Sequence, residues 1–383
     1  MLYTMRHFCI HLLVLSFLFA SCNNIQNGHI ASSKTTLINL DSGAKSFSLA
    51  DALASEQVIN LQTNDSSLIS ASTAIGKIII KEGKIYILDN KFMAVKVFDS
   101  VGHYLFSLGK SGLAKGEFLN VQDMTYERSH NSILVLCNRP NKISEFSLSG
   151  VLLHETPLQF FASSIAIQPD GSRIFYVNQN ESELSEKKNI LITDGNNDLK
   201  SRMFDFPKKI TSSIKFTGGV YTTAGERYFN PPFSSTYYSM SGDTATPVYE
   251  VSYGKKTIPK DVSEGWMMKN LKNYGYQVGT FFKNDNYVGF NYVDRALHVA
   301  FYNTRSGNLI KNDVKKDSLN AMFYNFVYEC DGKLVMVLDV NGMSGFWKRN
   351  GDLVRQKLPD LYNGMVMKMH QNPSLMIFTL KDI

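Results

Sequence analysis

The sequence predicts an all-β fold, a six-bladed β-propeller whose blades are four-stranded antiparallel sheets. Three observations indicate this fold: a β-hairpin marked by a glycine recurs, its period lies in the mid-forties, and a strand-like segment precedes each copy. Each hairpin has apolar-alternating strands on either side of a short polar turn. The marker glycines are 48, 45, 47, 65 and 44 residues apart: Gly102, Gly150, Gly195, Gly242, Gly307 and Gly351.

Most of the segments upstream of the glycines are rich in Ile, Val, Tyr and Phe, which is typical of buried inner strands, and the fourth is the weakest. The six segments are KIYILD, SILVLC, RIFYVN, GERYFN, NYVGFNYV and KLVMVLD. The 65-residue interval indicates an insertion between blades four and five. We expect a short helix there, at about 258–275, with Asp261 or Ser263 as its N-cap.

The two ends of the chain hold spare strands. EQVINLQT (Glu56–Thr63) precedes the first blade, and GMVMKMH and PSLMIFTLK follow the last hairpin. An open ring would expose two unpaired strand edges, so we expect N- and C-terminal strands to close it together. A seventh, composite blade is the alternative.

The first residues are typical of a secretory signal. Arg6 precedes the apolar run Phe8–Ala20, which is short for a bilayer span, and FASC ends at Cys22. FASC resembles the lipobox of bacterial lipoproteins, which predicts lipidation of Cys22; a plain secretory signal is the alternative. The predicted organisation is a signal peptide at 1–21, a flexible tether at 22–46 and one propeller domain at 47–383.

The predicted location is the cell envelope. Asn23 and Asn24 directly follow Cys22, where an inner-membrane lipoprotein often has aspartate and a surface-exported one an acidic cluster. We therefore expect the periplasmic face of the outer membrane, with the cell surface second. The chain carries 40 basic and 34 acidic residues, and removal of Arg6 with the signal leaves a net charge of +5 (39 − 34). This charge is mild and scattered, which argues against a nucleic-acid partner. We expect a monomer tied to the membrane through Cys22.

The run VFDSVGHYLFSLGKSGLAKGEF contains a Gly-Lys-Ser triplet, which raises the question of a phosphate-binding loop. Such a loop needs a glycine where this sequence has Tyr104, and it must open a helix. Neither condition is met. We therefore place the triplet in the crossover from the outer strand of blade one to blade two.

The same run is similar to the NHL-type pattern of aromatic-Asp-x-x-Gly, Gly-x-x-Gly and Gly-Glu-Phe. The chain most closely resembles six-bladed, NHL- or TolB-like propeller lipoproteins of gut Bacteroidetes. IGKIIIKEGKIYILDN, YEVSYGKKTIP and NPSLMIFTLKDI agree with this resemblance, whereas Lys115 stands where the family usually has proline. The resemblance implies the fold and an envelope location, and it carries over no catalytic residue.

Each inner hairpin ends at or near an aspartate or asparagine, which predicts a polar circle on one face of the ring. Its members are Asp89, Asn138, Asn178, Asn230, Asn291 and Asp339. Asp and Asn also start turns by bonding their own backbone, which is the simpler interpretation. The alternative is a rim that binds a ligand or calcium, which takes six to eight oxygen ligands.

Aromatic and charged residues follow the same strand ends: Phe92, Arg139, Tyr292, Asp294 and Arg295. Rings supply contact area and charges supply orientation, a combination that suits sugar or peptide recognition. No metal-ligand spacing is present, and GMSGF (Gly342–Phe346) lacks the spacing and context of a nucleophile elbow. We expect no cofactor; calcium bound at the polar circle is the alternative.

Two functions therefore fit the sequence. The first is a non-catalytic module that binds a protein, peptide or glycan on one face of the ring. The second is a propeller hydrolase or lyase with a metal in the central channel. Cys9 leaves with the signal and Cys22 would be lipidated, which leaves Cys137 and Cys330. A buried free thiol is expected at Cys137, and a disulfide between the two is the alternative.

Overall fold

The computed structural model describes residues 25–41, 44–70, 72–211, 216, 218–324, 327–365 and 371–382. The predicted signal segment and Cys22 lie outside the described residues, as do His370 and most of GMVMKMH. None of the helices in these ranges has the length and apolar character that a bilayer-spanning segment requires.

Short elements precede blade one in the described part of the chain. They are β1 (Gln26–Asn27), β2 (His29–Ile30), β3 (Thr36–Asn39), β4 (Lys45–Phe47), the helical turn α1 (Leu49–Ala52) and β5 (Leu53–Asn60).

Six small, mainly antiparallel sheets follow and form the predicted six-bladed propeller. Blade one contains β6 (Ile75–Lys81), β7 (Lys84–Asp89), β8 (Ala94–Asp99) and β9 (Tyr104–Leu108). A two-residue pair, β10 (Lys110–Ser111) and β11 (Glu117–Phe118), lies in the crossover that holds the Gly-Lys-Ser triplet. Blade two contains β12 (Asn120–Glu127), β13 (Ser132–Arg139), β14 (Asn141–Ser147) and β15 (Leu152–Pro157).

The next three blades repeat this order. Blade three contains β16 (Ser164–Ile167), β17 (Arg173–Tyr176), β18 (Lys188–Thr193) and β19 (Leu199–Asp205). Blade four contains β20 (Val220–Thr223), β21 (Glu226–Phe229), β22 (Thr236–Ser241) and β23 (Thr244–Ser252). After α2 (Glu264–Asn270), blade five contains β24 (Tyr276–Lys283), β25 (Tyr287–Asp294), β26 (Ala296–Asn303) and β27 (Leu309–Asn312).

Blade six joins the two ends of the chain. It contains β28 (Val327–Cys330), β29 (Lys333–Leu338), β30 (Ser374–Leu380) and, as its outermost strand, β5. β30 pairs antiparallel with both β29 and β5, so the ring closes between the termini as the sequence predicts. The seven-bladed alternative is wrong. The innermost strands β6, β12, β16, β20, β24 and β28 contact one another in sequence around the channel.

The segments predicted as inner strands are the second strands of their blades. In β7, five of the six residues are buried, because both faces of this strand are covered by neighbouring blades. The innermost strand β6 is more exposed and carries Lys77 and Lys81. Burial on both faces therefore made the second strands the stronger sequence signal.

The sixth predicted hairpin is wrong. Gly351 lies inside α3 (Ser344–Lys357), which is followed by α4 (Pro359–Gly364). Phe346, Asn350 and Val354 are spaced four positions apart, about one helical turn, and all three are buried on the inner side of α3. A Cβ on Gly351 would meet no atom within 4 Å, so this glycine marks an open helix surface rather than a turn.

Residues 25–41 and 44–47 form a strap along the outside of the ring, where the sequence predicted a flexible tether. β1 pairs parallel with β19 of blade three, β2 and β3 with β23 of blade four, and β4 with β27 of blade five. An outer strand offers unpaired backbone groups to any extended segment, whatever its side chains. The polar sequence of the strap is therefore compatible with an ordered structure.

Apolar anchors hold the strap in place. Ile38 and Leu40 are buried between blades four and five, and Lys311 Nζ donates a hydrogen bond to Leu40 O (2.9 Å). Gly28 crosses from blade three to blade four so closely that a Cβ would lie 2.5 Å from Met203 Cγ and 2.7 Å from Asp243 O.

Among the described residues, the apolar core is divided into six clusters, one between each pair of neighbouring blades. Cys137 belongs to the cluster between blades one and two, and Cys330 to the cluster between blades six and one. Both thiols are free and buried, and burial raises the pKa of Cys137 to about 12.

Candidate functional site

The ring has two distinct faces. The crossover face carries the ends of the second strands and the segments that lead from each blade into the next. The turn face carries the short turns between first and second strands and between third and fourth strands. Five of the six predicted Asx residues lie at or within two residues of the end of a second strand, and Asn291 lies three residues before the end of β25.

The Asx side chains bind protein backbone. Asp89 accepts hydrogen bonds from Ser70 N and Ser70 Oγ (both 2.7 Å) and from Lys91 N and Phe92 N (both 2.9 Å). Asp339 accepts from Ser72 N (3.1 Å), which leads into blade one, and from Asn341 N (3.0 Å). Both carboxylates therefore form turns and hold the segment that enters blade one.

The asparagines follow the same pattern. Asn138 Nδ2 donates to Ala162 O (3.1 Å). Asn178 makes two hydrogen bonds to the backbone of Phe216: its Nδ2 donates to Phe216 O, and its Oδ1 accepts from Phe216 N (both 2.9 Å). Asn291 Oδ1 accepts from Val327 N (3.4 Å), where blade six begins. Each of these amides ties the second strand of one blade to the start of the next blade.

A further carboxylate, which the sequence did not single out, links three innermost strands. Asp123 of β12 pairs with Lys77 Nζ of β6 (2.9 Å) and accepts from Ile165 N of β16 (2.9 Å). Its side chain is 8% exposed. Within the described residues, no group of three or more His, Cys, Asp or Glu side chains could hold a metal ion.

The other predicted rim residues are not brought into one site. Phe92 and Arg139 are exposed on blades one and two. On blade five, Tyr292 is buried and stacks on His298 (5.1 Å between ring centroids), Asp294 pairs with Lys256 Nζ (2.6 Å), and Arg295 is exposed.

A cavity of about 300 Å³ opens on the crossover face between blades three, four and five, beneath α2. Its walls consist of aromatic, apolar and amide side chains and two glycines. They are Tyr176, Phe216, Gly218, Gly219, Tyr221, Asn230, Pro232, Phe233, Met267, Met268, Leu271, Tyr276 and Gln277. None of these lining residues carries a charge at neutral pH.

The rings of the cavity are held edge to face. The centroids of Phe216 and Phe233 are 4.9 Å apart at 90°, and those of Phe233 and Tyr276 are 6.1 Å apart at 66°. Tyr221 donates its hydroxyl hydrogen to Gly279 O (2.8 Å) on the first strand of blade five. Burial raises the pKa of Tyr221 and Tyr276, so both hydroxyls stay protonated at neutral pH.

Local backbone features create the space. Gly218 adopts a positive φ of 106°, and a Cβ on Gly219 would overlap Ser164 Oγ, which accepts a hydrogen bond from Val220 N (2.8 Å). Small residues are therefore required where blade four begins. Asn230 directly follows β21 and stabilises the turn after it by donating to Ser234 O (2.9 Å) and Thr236 O (2.8 Å).

α2 covers the cavity and lies within the predicted insertion. Ser263 caps it by accepting from Trp266 N (3.3 Å), and Thr211 Oγ1 donates to Glu264 Oε2 (2.8 Å). Met267 is buried beneath the helix, whereas Met268 is 81% exposed at its edge.

A second cavity, of about 370 Å³, lies on the same face at blade one. Phe92, Lys96 and Lys110 line it, and Lys96 Nζ donates to Ser66 O (2.7 Å). Of the predicted rim residues, Phe92 borders this cavity and Asn230 the one beneath α2.

The sequence did not identify Phe216, Phe233 and Tyr276 as site residues. Phe216 and Phe233 lie in two separate connections and Tyr276 begins β24, so the three rings meet only in the folded ring of blades. The available signals were the 65-residue interval and the aromatic FNPPF stretch before it.

Comparisons with solved structures agree with the propeller fold. A protein from Bacteroides fragilis NCTC 9343 described as exported is 19% identical, with a TM-score of 0.75, and the match covers 90% of this chain and all of that one. A member of the DUF4221 family from Bacteroides vulgatus ATCC 8482 is 11% identical, with a TM-score of 0.50, and covers 87% of this chain and 99% of its own.

The chain has no significant match among curated proteins. The six-bladed fold implied by the resemblance to propeller lipoproteins is confirmed, whereas membership of an NHL- or TolB-like family is not shown by these matches. The model of a domain of unknown function, DUF4934, matches residues 35–379, and the chain belongs to that family.

Proposed function

We propose that this chain is a binding protein of the cell envelope, anchored through Cys22 at the periplasmic face of the outer membrane. Its ligand is an apolar segment of a peptide or protein, held in the cavity beneath α2 on the crossover face. The observation that carries this proposal is the uncharged, aromatic lining of that cavity.

The chemistry of the lining favours this class of ligand. Phe216, Phe233 and Met267 offer ring and thioether surfaces that suit apolar side chains. Asn230 and Gln277 line the same cavity. Asn230 Nδ2 donates to Ser234 O and Thr236 O, so its amide oxygen is the atom that would accept a hydrogen bond from a peptide N–H. A charged ligand would lose its hydration here without gaining an ion pair.

The test is a peptide array and a glycan array probed with the purified protein and two variants. Phe233→Ala removes the ring that contacts both Phe216 and Tyr276, and we expect it to weaken peptide binding at least about tenfold. Phe92→Ala is the matched control, because this aromatic lies on the same face but at the other cavity.

Peptide binding that is lost in Phe233→Ala and kept in Phe92→Ala supports the proposal. Binding that only Phe92→Ala abolishes would move the site to blade one. Binding confined to glycans would overturn the peptide assignment.

A further inference from the structure

The strap determines how far the ring can lie from its lipid anchor. Ile25 is the first described residue, and the next two residues already pair with blade three. Only three residue steps separate Cys22 from Ile25, and an extended chain covers at most about 3.6 Å per residue. The ring must therefore stay within about 11 Å of the lipidated cysteine.

The direction of β1 indicates which face lies near the anchor. β1 runs parallel to β19, and β19 starts directly after the Asp194–Asp198 turn on the turn face. Gln26 pairs with Ser201, close to that starting end. The residues before Gln26 therefore approach from the turn face, opposite the cavity beneath α2.

The same edge of the ring exposes apolar side chains. Ile25 is 37% exposed and Ile30 is 49% exposed. Ile30 pairs with Ala245, the second residue of β23, so it also lies near the turn face. Each side chain is costly to leave in water and would gain free energy at the boundary between headgroups and acyl chains.

We propose that the turn-face edge of blades three and four, with Ile25 and Ile30, rests on the phospholipid surface. The crossover face and its cavity then point away from the bilayer. This orientation rests on the proposed lipid anchor at Cys22. A flexible 25-residue tether would have a root-mean-square length of about 25–30 Å and would impose no such orientation.

The test uses the full chain, processed from its own signal segment and reconstituted into vesicles of phosphatidylethanolamine and phosphatidylglycerol. A bimane probe is attached to one introduced cysteine at a time. Asn196→Cys places it on the turn face of blade three, Val101→Cys on the turn face of blade one across the ring, and Met268→Cys on the crossover face. Cys137 and Cys330 are buried and will not compete for the label.

Spin-labelled phospholipids in the vesicles quench a probe that lies close to the bilayer. We expect most of the fluorescence to be lost at position 196, less at 101, and almost none at 268. An insertion of about 20 Gly and Ser residues between Asn24 and Ile25 should remove the difference between positions, because it restores a flexible tether.

Flotation of the vesicles separates the two levels of the inference. Equal quenching at positions 196 and 268, or none at 196, in protein that floats with the vesicles would overturn the orientation while leaving the anchor. Failure of the protein to float would remove the anchor and the orientation together. Ile30→Gln should reduce quenching at position 196 without preventing flotation.

Discussion

Asp89 exemplifies what a single Asx residue contributes to this ring. Its carboxylate accepts four hydrogen bonds, two from Ser70 and two from the turn after β7, and its side chain is fully buried. The prediction that the polar circle only forms turns accounts for the two bonds from the turn after β7. The other two tie a strand end to the segment that enters blade one.

We expect Asp89→Ala to lower the free energy of unfolding by about 2–4 kcal/mol, because it leaves buried donors without an acceptor. Urea denaturation followed by circular dichroism measures this change. Asp198→Ala is the control, since this aspartate is exposed, and it should change stability by less than about 0.5 kcal/mol. Equal effects of the two substitutions would contradict the role assigned to Asp89.

Glu155 provides a pH-dependent contribution at the same scale. Burial favours its neutral form, but hydrogen bonds from Lys142 (2.5 Å), Ser144 (2.9 Å) and Gly116 N (3.1 Å) outweigh it and lower the pKa. The folded pKa is thus below the unfolded value of about 4.3. The stabilisation is complete above that value and is lost as pH falls through the folded pKa.

We therefore expect the stability of Glu155→Gln to depend less on pH below about 4.3 than that of the unaltered protein. Thermal unfolding measured from neutral to acidic pH tests this expectation. Glu181→Gln is the control, because this carboxylate is 55% exposed and pairs loosely with Lys187 (3.6 Å). Identical pH profiles for the unaltered protein and Glu155→Gln would exclude the effect.

At the scale of elements, the strap adds strands to three blades through backbone bonds. Gly28 N donates to Arg202 O (2.9 Å) and His29 N to Asp243 O (2.8 Å). These bonds require the strap backbone to lie very close to Met203 and Asp243, which Gly28 permits because it has no Cβ.

Gly28→Val should release the start of the strap while leaving the ring folded. We expect faster proteolytic cleavage within residues 25–35 and an almost unchanged circular dichroism spectrum. Gly265→Ala is the control, since a Cβ at that position meets no atom within 4 Å. Cleavage rates that match in the two variants would show that the strap does not depend on close packing at Gly28.

Elements also show where sequence reasoning succeeded and failed. Five of the glycine-marked turns lie between third and fourth strands because those turns need short polar residues with few steric limits. Gly351 matched the same pattern but lies on the open side of α3, where the helical spacing of Phe346 and Val354 was the better signal. The strands of the strap could not be predicted from the sequence, because two-residue strands such as Gln26–Asn27 have no apolar alternation.

The candidate site was less predictable than the fold. The sequence located strand ends and the insertion, but Phe233 and Tyr276 meet only after blades four and five pack together. Likewise, Asn178 looked like a rim residue, whereas the structure uses it to hold the backbone of Phe216. Such pairings depend on how connections cross the face, which local patterns do not encode.

At the scale of the whole molecule, blade six makes the ring depend on both ends of the chain. β30 is the middle strand between β29 and β5, and Ser374 Oγ donates to Asn60 Oδ1 (2.6 Å) across 314 residues. Removal of β30 would expose two edges and open the ring.

We expect a chain that ends at Gln371 to lose cooperative unfolding and to bind a hydrophobic dye. A chain that ends at Leu380 keeps every strand and should unfold in one transition, which makes it the matched control. Calorimetry distinguishes the two outcomes. A single sharp transition in the shorter chain would mean that five complete blades close without the C-terminal strand.

The pairing of β5 with β30 also affects when the ring can close during biosynthesis. A ribosome adds about 5–20 residues per second, so β5 waits roughly 15–60 s for its partner strand to be made. Throughout that interval the nascent chain has an unsatisfied strand edge at its leading end and cannot lock into its final shape. Because blade six needs both strands, closure of the ring waits until β30 has been made.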